Sequence, residues 1–382
     1  MTAPEPTFAP APGRTADVEY AGTHRIGRVR LNRPRALNSL TGKMVESMLA
    51  QLTAWATDDA VGAVFIDGAG EKGLCAGGDV RAVREAVLSG ETEEAIRFWD
   101  TEYRLNALIA DYPKPYVAWM DGVVMGGGVG ISAHGSQRLV TERAKVAMPE
   151  TIIGFYPDVG GLYHLAHAPG ELGTHAALTG FTFGPADAVV LGLADGVVAV
   201  SDKEKVLADL AAALGEVAPG SDDTATADED DANATADADD VAAEEAQVAP
   251  RSELETQRGW IDECYAGDDA TEILRRLLAH DDTAARAAGE AIASRSPHSV
   301  AATLAALRRA ANLDVRGVLA QDARLSRVFV EHPDFNEGVR ALLVDKDNAP
   351  QWADASIADV DLTQVLAALA ERSASQNTGG PA

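Results

Sequence analysis

One unit of sequence occurs twice and limits the folds open to this chain. Val64-Phe65-Ile66-Asp67-Gly68 is a short apolar run closed by Asp-Gly, with Gly77-Gly78 following. Val117-Ala118-Trp119-Met120-Asp121-Gly122 repeats the pattern, with Gly126-Gly127-Gly128 following. A helical stretch comes next in each case, Val80 to Leu88 and Ile131-Ser132-Ala133. A short apolar run bounded by turn residues reads as a buried strand. A strand–glycine loop–helix unit buries its apolar face only against a neighbouring copy. Its repetition therefore points to a spiral of stacked turns, in the α/β class.

A second feature divides the chain. Glu216 to Ala249 holds twelve acidic residues and no Lys or Arg, in an Asp/Ala/Thr background. Such a segment buries too little apolar area to offset the entropy of ordering it, and reads as a disordered insert. Before it, Asp17 to Val200 is rich in β-type runs. After it, Glu253 to Arg372 is Ala/Leu/Arg-rich and reads as helices. The expected organisation is a frayed tail (1–16), a spiral core with the active site (17–215), the insert (216–252), a C-terminal helical region (253–372) and a second tail (373–382). Thr41 is expected to cap a helix that buries Met44, Met48, Leu52 and Trp55. Ser201 with Glu204 forms a capping box ahead of Val206, and Ser296-Pro297 starts another helix.

The formal net charge is −27. That disfavours nucleic acid and anionic membrane as partners, since both call for a basic surface. No run of about 18 uncharged apolar residues exists, so no transmembrane helix is expected. Met1 to Pro12 lacks the basic and apolar regions of a signal peptide, and two cysteines, Cys75 and Cys264, cannot build a disulfide framework. The expected location is the cytoplasm.

The glycine clusters are the first candidates for chemistry. Ala76-Gly77-Gly78-Asp79 and Gly126-Gly127-Gly128-Val129-Gly130 each join a strand to a helix. Glycine lets backbone approach a ligand, so two such loops can aim two N–H groups at one carbonyl oxygen. Close packing or a tight turn explains either cluster alone about equally well. A dinucleotide fingerprint fails, because its third glycine falls on Ile131. Gly130 to Gly135 holds one residue too many for a nucleophile elbow, so Ser132 and His134 read as packing residues. His164 and His167 lack a third ligand nearby, and no metal is expected. Cys75 reads as a packing residue. Glu150 and Asp158 lie in the apolar, Gly/Pro-punctuated segment Ala147 to Gly161, where turns can bring both carboxylates to one pocket. Each also suits a cap or turn. Glu102, in the helical stretch Phe98 to Leu105, reads by itself as an exposed helix carboxylate.

Together these residues resemble the crotonase (enoyl-CoA hydratase/isomerase) superfamily. The resemblance rests on Leu31 to Asn38 (L-N-R-P-R-A-L-N), Cys75 to Asp79 (C-A-G-G-D), Pro113-Lys114-Pro115, Asp121-Gly122 and the Gly126 to Gly130 loop. Within it the chain is similar to the 3-hydroxyisobutyryl-CoA hydrolase subfamily, through Met148 to Thr151, Pro157 to Gly161, Ser296-Pro297 and the run Phe335 to Asp347. The resemblance implies a crotonase-like spiral of ββα units with a C-terminal helical region. It implies that the Gly78 and Gly127 amides hold a thioester oxygen, that Glu150 and Asp158 are catalytic, and that Glu102 contacts substrate. Arg33, Ala36 and Leu37, with Ala76 and Asp79, are implied to line the CoA. No cofactor is implied beyond the CoA of the substrate. The resemblance leaves a homo-oligomer among the allowed states.

One departure from the wider superfamily bears on the chemistry. Hydratases carry a first water-activating glutamate where this chain has Gly130, and tend to have glycine where it has Asp158. The resemblance thus implies attack on a thioester carbonyl, with Glu150 as nucleophile or as base for water. Asp158 would hold the 3-hydroxyl or pass a proton to the leaving thiolate. An enoyl-CoA hydratase/isomerase is the alternative. A non-catalytic acyl-CoA-binding protein, or a scaffold acting through the insert, is a more distant one.

Overall fold

The computed structural model describes residues 6–215 and 251–371. The acidic stretch 216–250 and the terminal stretches 1–5 and 372–382 lie outside the described residues, and with them most of the expected insert and the second tail.

The main sheet is formed by β1 (Val18–Thr23), β2 (Ile26–Leu31), β3 (Ala63–Gly68), β4 (Tyr116–Met120), β6 (Gln137–Thr141) and β8 (Gly196–Val198), in that spatial order. The β1–β2 pair is antiparallel and every later pair is parallel. Parallel neighbours need crossovers, so the chain rises one strand per turn. The runs that read as buried strands are β3 and β4, and nearly every residue of both is buried, as both-face coverage demands.

A second, shorter ladder gives the spiral its other wall. It joins β5 (Val123–Met125) to β7 (Lys145–Ala147), with single bridges Leu40 to Gly78, Cys75 to Val124 and Val146 to Phe183. Each turn therefore supplies one strand to the large sheet and one short extended piece to the small ladder. The two glycine clusters lie on these pieces. That is why they come together although 49 positions separate Gly78 from Gly127 in the chain.

Helices α1 (Gly42–Ala56), α2 (Val80–Leu88), α3 (Thr92–Ala110), α4 (Gly127–Gly130), α5 (Gly161–His167), α6 (Leu172–Thr179) and α7 (Pro185–Val190) fill the crossovers, and α8 (Lys203–Ala213) follows the last strand. Thr41 Oγ1 accepts the Met44 N–H and starts α1, which buries Met44, Met48 and Leu52, with Trp55 half-buried against Tyr20. The expected box at Ser201 and Glu204 does not form. Asp202 is the N-cap of α8, and its carboxylate turns back to accept the Ala199 N–H. Ser201 falls inside the 3-10 turn Val200–Asp202, and the Asp202 carboxylate serves the start of that turn, so no side chain caps α8.

The expected tail is corrected as well. Residues 6–16 run along the sheet edge, where Ala9 exchanges both backbone hydrogen bonds with Tyr20. Phe8 lies 4.0 Å from the Arg30 guanidinium. Arg28, Arg30 and Lys203 surround buried Asp67 at the end of β3. Burial alone would push the Asp67 pKa up, but Arg30 and Lys203 outweigh it and hold it below the usual carboxylate range.

After the acidic stretch come α9 (Glu253–Tyr265), α10 (Ala270–Ala279), α11 (Thr283–Ser294), α12 (Pro297–Ala310), α13 (Val315–Glu331), α14 (Pro333–Val339) and α15 (Thr363–Ala370). Ser296 caps α12 by accepting the Ser299 N–H, and its hydroxyl donates to Asp334 at 2.6 Å. These helices share one apolar core with the spiral. α13 packs along α3, α12 against α5 and α6, and α14 against α2. An aromatic cluster joins the halves: Trp99 stacks on Phe155 at 5.0 Å between ring centroids, and Phe329 and Phe335 close around the same ring.

Candidate active site

The small ladder carries the candidate residues to one place. Leu40 bonds through its amide to Gly77 O and through its carbonyl to Asp79 N, which turns the Gly78 N–H away from the ladder. Gly127 is the first residue of α4, where an amide has no intrahelical acceptor. Neither N–H donates to another described residue. A methyl placed on Gly127 would sit 3.3 Å from the Gly78 nitrogen, so both amides border one small volume. The glycines are required there. Gly126 has φ +51, and a Cβ on it would fall 2.7 Å from Glu150 Oε1. A side chain at 126 would displace that carboxylate.

Glu150 opens a 3-10 turn (Glu150–Ile153) directly after β7, and is buried with Oε2 unpartnered. Asp158 is buried eight residues on, its Oδ2 accepting from the Tyr103 hydroxyl at 2.8 Å. It does not cap α5, whose N-cap is Gly160. Glu102 lies on the inner face of α3 and is only 2% exposed, so it is no surface carboxylate. Its Oε1 is unpartnered and lies 2.5 Å from the Cβ position of Gly127.

Among the described residues, none of these three carboxyls forms an ion pair with an Arg or Lys. Burial raises the pKa of Glu102 and Glu150, and the nearby Asp158 charge adds to both shifts. Burial also pushes Asp158 up to about 7, against the lowering effect of the Tyr103 hydroxyl. Burial and mutual repulsion both favour retention of protons within this carboxyl cluster. Such a cluster can hold one carboxyl charged beside a protonated neighbour, the separation of roles that acid–base catalysis needs.

The remaining expected residues form the mouth. Gly78, Ala76 and Asp79 are half-buried, whereas Gly127 is buried, so the site opens on the Gly78 side. Arg33 donates to Ser39 O at 2.6 Å and pairs with Asp79 at 3.1 Å. The Ala76 amide donates to Leu37 O, which ties the 33–37 stretch to the first glycine loop. Ala36 is exposed and Leu37 half-buried at its rim. Cys75 is buried beside them, and burial pushes its thiol up to about 12, which makes it no thiolate. Among the described residues no group of three or more His, Cys, Asp or Glu is placed to hold a metal ion, and no helix is long and apolar enough to cross a membrane.

Four side chains complete the site that no motif announced. Tyr103 follows Glu102 and holds Asp158. Asp322 on α13 is fully buried and accepts the Gly160 N–H at 2.9 Å, while its carbonyl accepts the Tyr156 hydroxyl at 2.8 Å. His134 Nε2 lies 2.7 Å from Val159 O, which makes that nitrogen the protonated one. Val159 has φ +52, a strained setting for a β-branched residue, and these contacts hold it there beside Asp158. Asn106, one turn after Glu102, is fully buried with neither amide atom partnered.

The position where the resemblance expects a hydratase's first glutamate, Gly130, is packed. A Cβ on Gly130 would fall 2.7 Å from the Val159 Cβ and 2.9 Å from Asn106 Nδ2. Neighbouring side chains occupy the space an acid there would need. The sequence profile of the enoyl-CoA hydratase/isomerase family matches residues 26–369. The chain belongs to that family. Curated relatives named 3-hydroxyisobutyryl-CoA hydrolase, mitochondrial, include the Danio rerio protein, 36% identical over 348 residues (90% of this chain, 87% of the relative). The Rattus norvegicus protein of that name is 37% identical over 361 residues (94% and 90%). Among solved structures, a carnitinyl-CoA dehydratase from Mycobacterium thermoresistibile superposes with a TM-score of 0.82 at 45% identity, covering 94% of this chain and 98% of its own. An enoyl-CoA hydratase from Rhodobacter sphaeroides 2.4.1 does so with a TM-score of 0.82 at 35% identity (93% and 97%). The mixed α/β fold with its C-terminal helices is therefore that of the crotonase superfamily.

Proposed function

We propose that this protein hydrolyses the thioester of a short 3-hydroxyacyl-CoA, with 3-hydroxyisobutyryl-CoA the leading candidate, giving the free 3-hydroxy acid and CoA. The observation that carries the reading is the packing at Gly130. Water addition across a C=C bond needs a second activating acid there, and Val159 and Asn106 fill its place. The names of the curated relatives support the same reading, and at least 85% of this chain aligns to each. The dehydratase and hydratase titles of the solved relatives favour a second reading, a crotonase-type hydratase. It finds Glu150 in place but lacks the partner acid.

In the proposed reaction the thioester oxygen sits between the Gly78 and Gly127 amides, and the acyl carbon faces Glu150. Each amide supplies a fixed donor where negative charge develops, typically worth ~3 kcal/mol. Glu150 attacks the carbonyl, or takes a proton from the water that does. The thiolate leaves as Asp158 delivers a proton, a task suited to a carboxyl with a pKa of about 7. In the covalent route water then opens the anhydride. Arg33, Ala36, Leu37, Ala76 and Asp79 are proposed to line the CoA arm, with no cofactor beyond the CoA itself. A role in valine breakdown and a cytoplasmic location belong to the same proposal.

The test is release of free thiol from (S)-3-hydroxyisobutyryl-CoA, with crotonyl-CoA absorbance followed in parallel. Thiol release with crotonyl-CoA untouched supports the reading. Loss of crotonyl-CoA absorbance without thiol release refutes it. Glu150→Gln should keep the melting temperature and lower kcat by on the order of a thousandfold or more.

A further inference from the structure

Asp158 to Gly161 is a tight turn that its own sequence does not favour. The Gly161 N–H donates to Asp158 O at 2.8 Å, and both central residues have positive φ, Val159 at +52 and Gly160 at +74. These are the marks of a type I′ turn, whose central positions suit Gly, Asn and Asp. Gly160 fits it. Val159 does not, because a β-branched side chain crowds the backbone at positive φ. Such strain persists only where the surroundings hold it.

The hold is on the peptide between those two residues, and it acts at both poles. The oxygen, Val159 O, accepts from His134 Nε2 at 2.7 Å, and the N–H, on Gly160, donates to Asp322 Oδ2 at 2.9 Å. The fit is close, since a Cβ on Gly160 would fall 2.7 Å from His134 Nε2. Behind His134 stands a second imidazole. His164, on α5, brings its Nε2 to 3.2 Å from His134 Nδ1. Burial keeps both rings neutral, pushing the His134 pKa down to about 4 and lowering that of His164 as well. A neutral His134 with its proton on Nε2 has a bare Nδ1, so His164 is the donor between them. That bond fixes the His134 tautomer and therefore the donor that meets Val159.

We propose that His134, oriented by His164, is the positioning residue for Asp158, an assignment that rests on the hydrolase reading above. His134 acts through the turn and not on the substrate. It holds the backbone that carries Asp158, while the Tyr103 hydroxyl holds the carboxyl itself. Without the imidazole the central peptide loses its donor, Val159 relaxes to negative φ, and Asp158 leaves the place from which it protonates the departing thiolate. That proton moves only in the transition state, so the loss falls on kcat and leaves KM unaltered.

The experiment measures thiol release from 3-hydroxyisobutyryl-CoA, with a melting curve, for wild type, His134→Leu and His134→Gln. Leucine fills the space without a donor. Glutamine returns an N–H near the place of Nε2. His134→Leu should lower kcat on the order of tenfold to a hundredfold, the cost of a misplaced reacting group, with KM near the wild-type value. His134→Gln should recover most of that loss. A merely structural imidazole would lower the melting temperature and leave kcat of the folded protein unchanged. That result, an equal loss of kcat in the two variants, or a loss carried by KM overturns the assignment. If His134→Leu does not fold, the pair His164→Leu and His164→Gln carries the same comparison, because it alters only the second imidazole. Wild-type protein inert towards the thioester would refute the hydrolase reading itself, whereas an active wild type with indifferent variants refutes the positioning role alone.

Discussion

Gly127→Ala tests the proposed oxyanion site at its centre. A methyl group at 127 would lie 2.5 Å from Glu102 Oε1, 3.2 Å from Leu40 Cδ1 and 3.3 Å from the Gly78 nitrogen. It would occupy the volume proposed for the thioester oxygen while leaving both N–H groups in the chain. The backbone accepts alanine, because Gly127 has no positive φ and begins a helix. Helix propensity favours Ala over Gly by up to ~1 kcal/mol, and forcing a methyl into a packed site costs roughly 1–3 kcal/mol. The net cost is at most ~2–3 kcal/mol, so the melting temperature should fall by only a few degrees. The chemistry has no such compensation. Losing one oxyanion donor is worth ~3 kcal/mol, which is about a hundredfold in kcat, and displacing the oxygen from both amides takes the loss towards ten-thousandfold. Gly78→Ala is the control, since its methyl would meet the Phe98 ring edge at 3.2 Å, outside the shared volume. Thiol release at saturating thioester, with a melting curve for each variant, reads both effects. A folded Gly127→Ala enzyme with kcat within tenfold of wild type would refute the oxyanion assignment.

Two further outcomes follow from the same geometry. Asp158 titrates near pH 7 in the folded chain, and near 4 once unfolded. Between those values the unfolded chain releases this proton while the folded chain keeps it, so its contribution to stability is lost as pH rises through the window. Asp158→Asn should flatten that slope, read from denaturant midpoints at pH 4.5 and 7.5, and should remove the limb of the kcat profile near pH 7. An unaltered profile would assign that limb to another group. Gly130→Glu should lower the melting temperature, because Val159 and Asn106 stand against its Cβ, and should not confer crotonyl-CoA hydration. A stable Gly130→Glu hydratase would show that packing there is not the barrier.

The sequence was most readable where the signal is local. β3 and β4 are continuous apolar runs, and Thr41 and Ser296 are caps that need only their own helices. Glu150 and Asp158 stood out because carboxylates are rare in so apolar a segment. Asn106 and Asp322 lie on amphipathic helices, where a polar residue normally marks the solvated side. Only the packing of α13 against α3 and of α3 against α4 encloses them, and no spacing rule reports that. Glu102 was visible through resemblance alone, because its burial comes from the glycine helix across from it. Residues 6–16 lack any periodicity, yet a free sheet edge orders them. Ser201 fails as a cap because a 3-10 turn precedes α8 and takes Ser201 into its middle, where its hydroxyl donates to Asp202.

The link between Gly160 and Asp322 spans 162 positions, and it sets the order in which this protein can be made. Every proposed catalytic group has been synthesised by Asp158, well before the acidic stretch emerges. The turn that aims Asp158 is still unfinished then, because its acceptor sits on α13 and its aromatic packing includes Phe329 and Phe335. Contacts this distant in sequence form late, after the loop between them has closed. A nascent chain that ends in the acidic stretch therefore holds the full set of reacting groups in a slack arrangement. The ordered site arrives only when the last third of the message has been read.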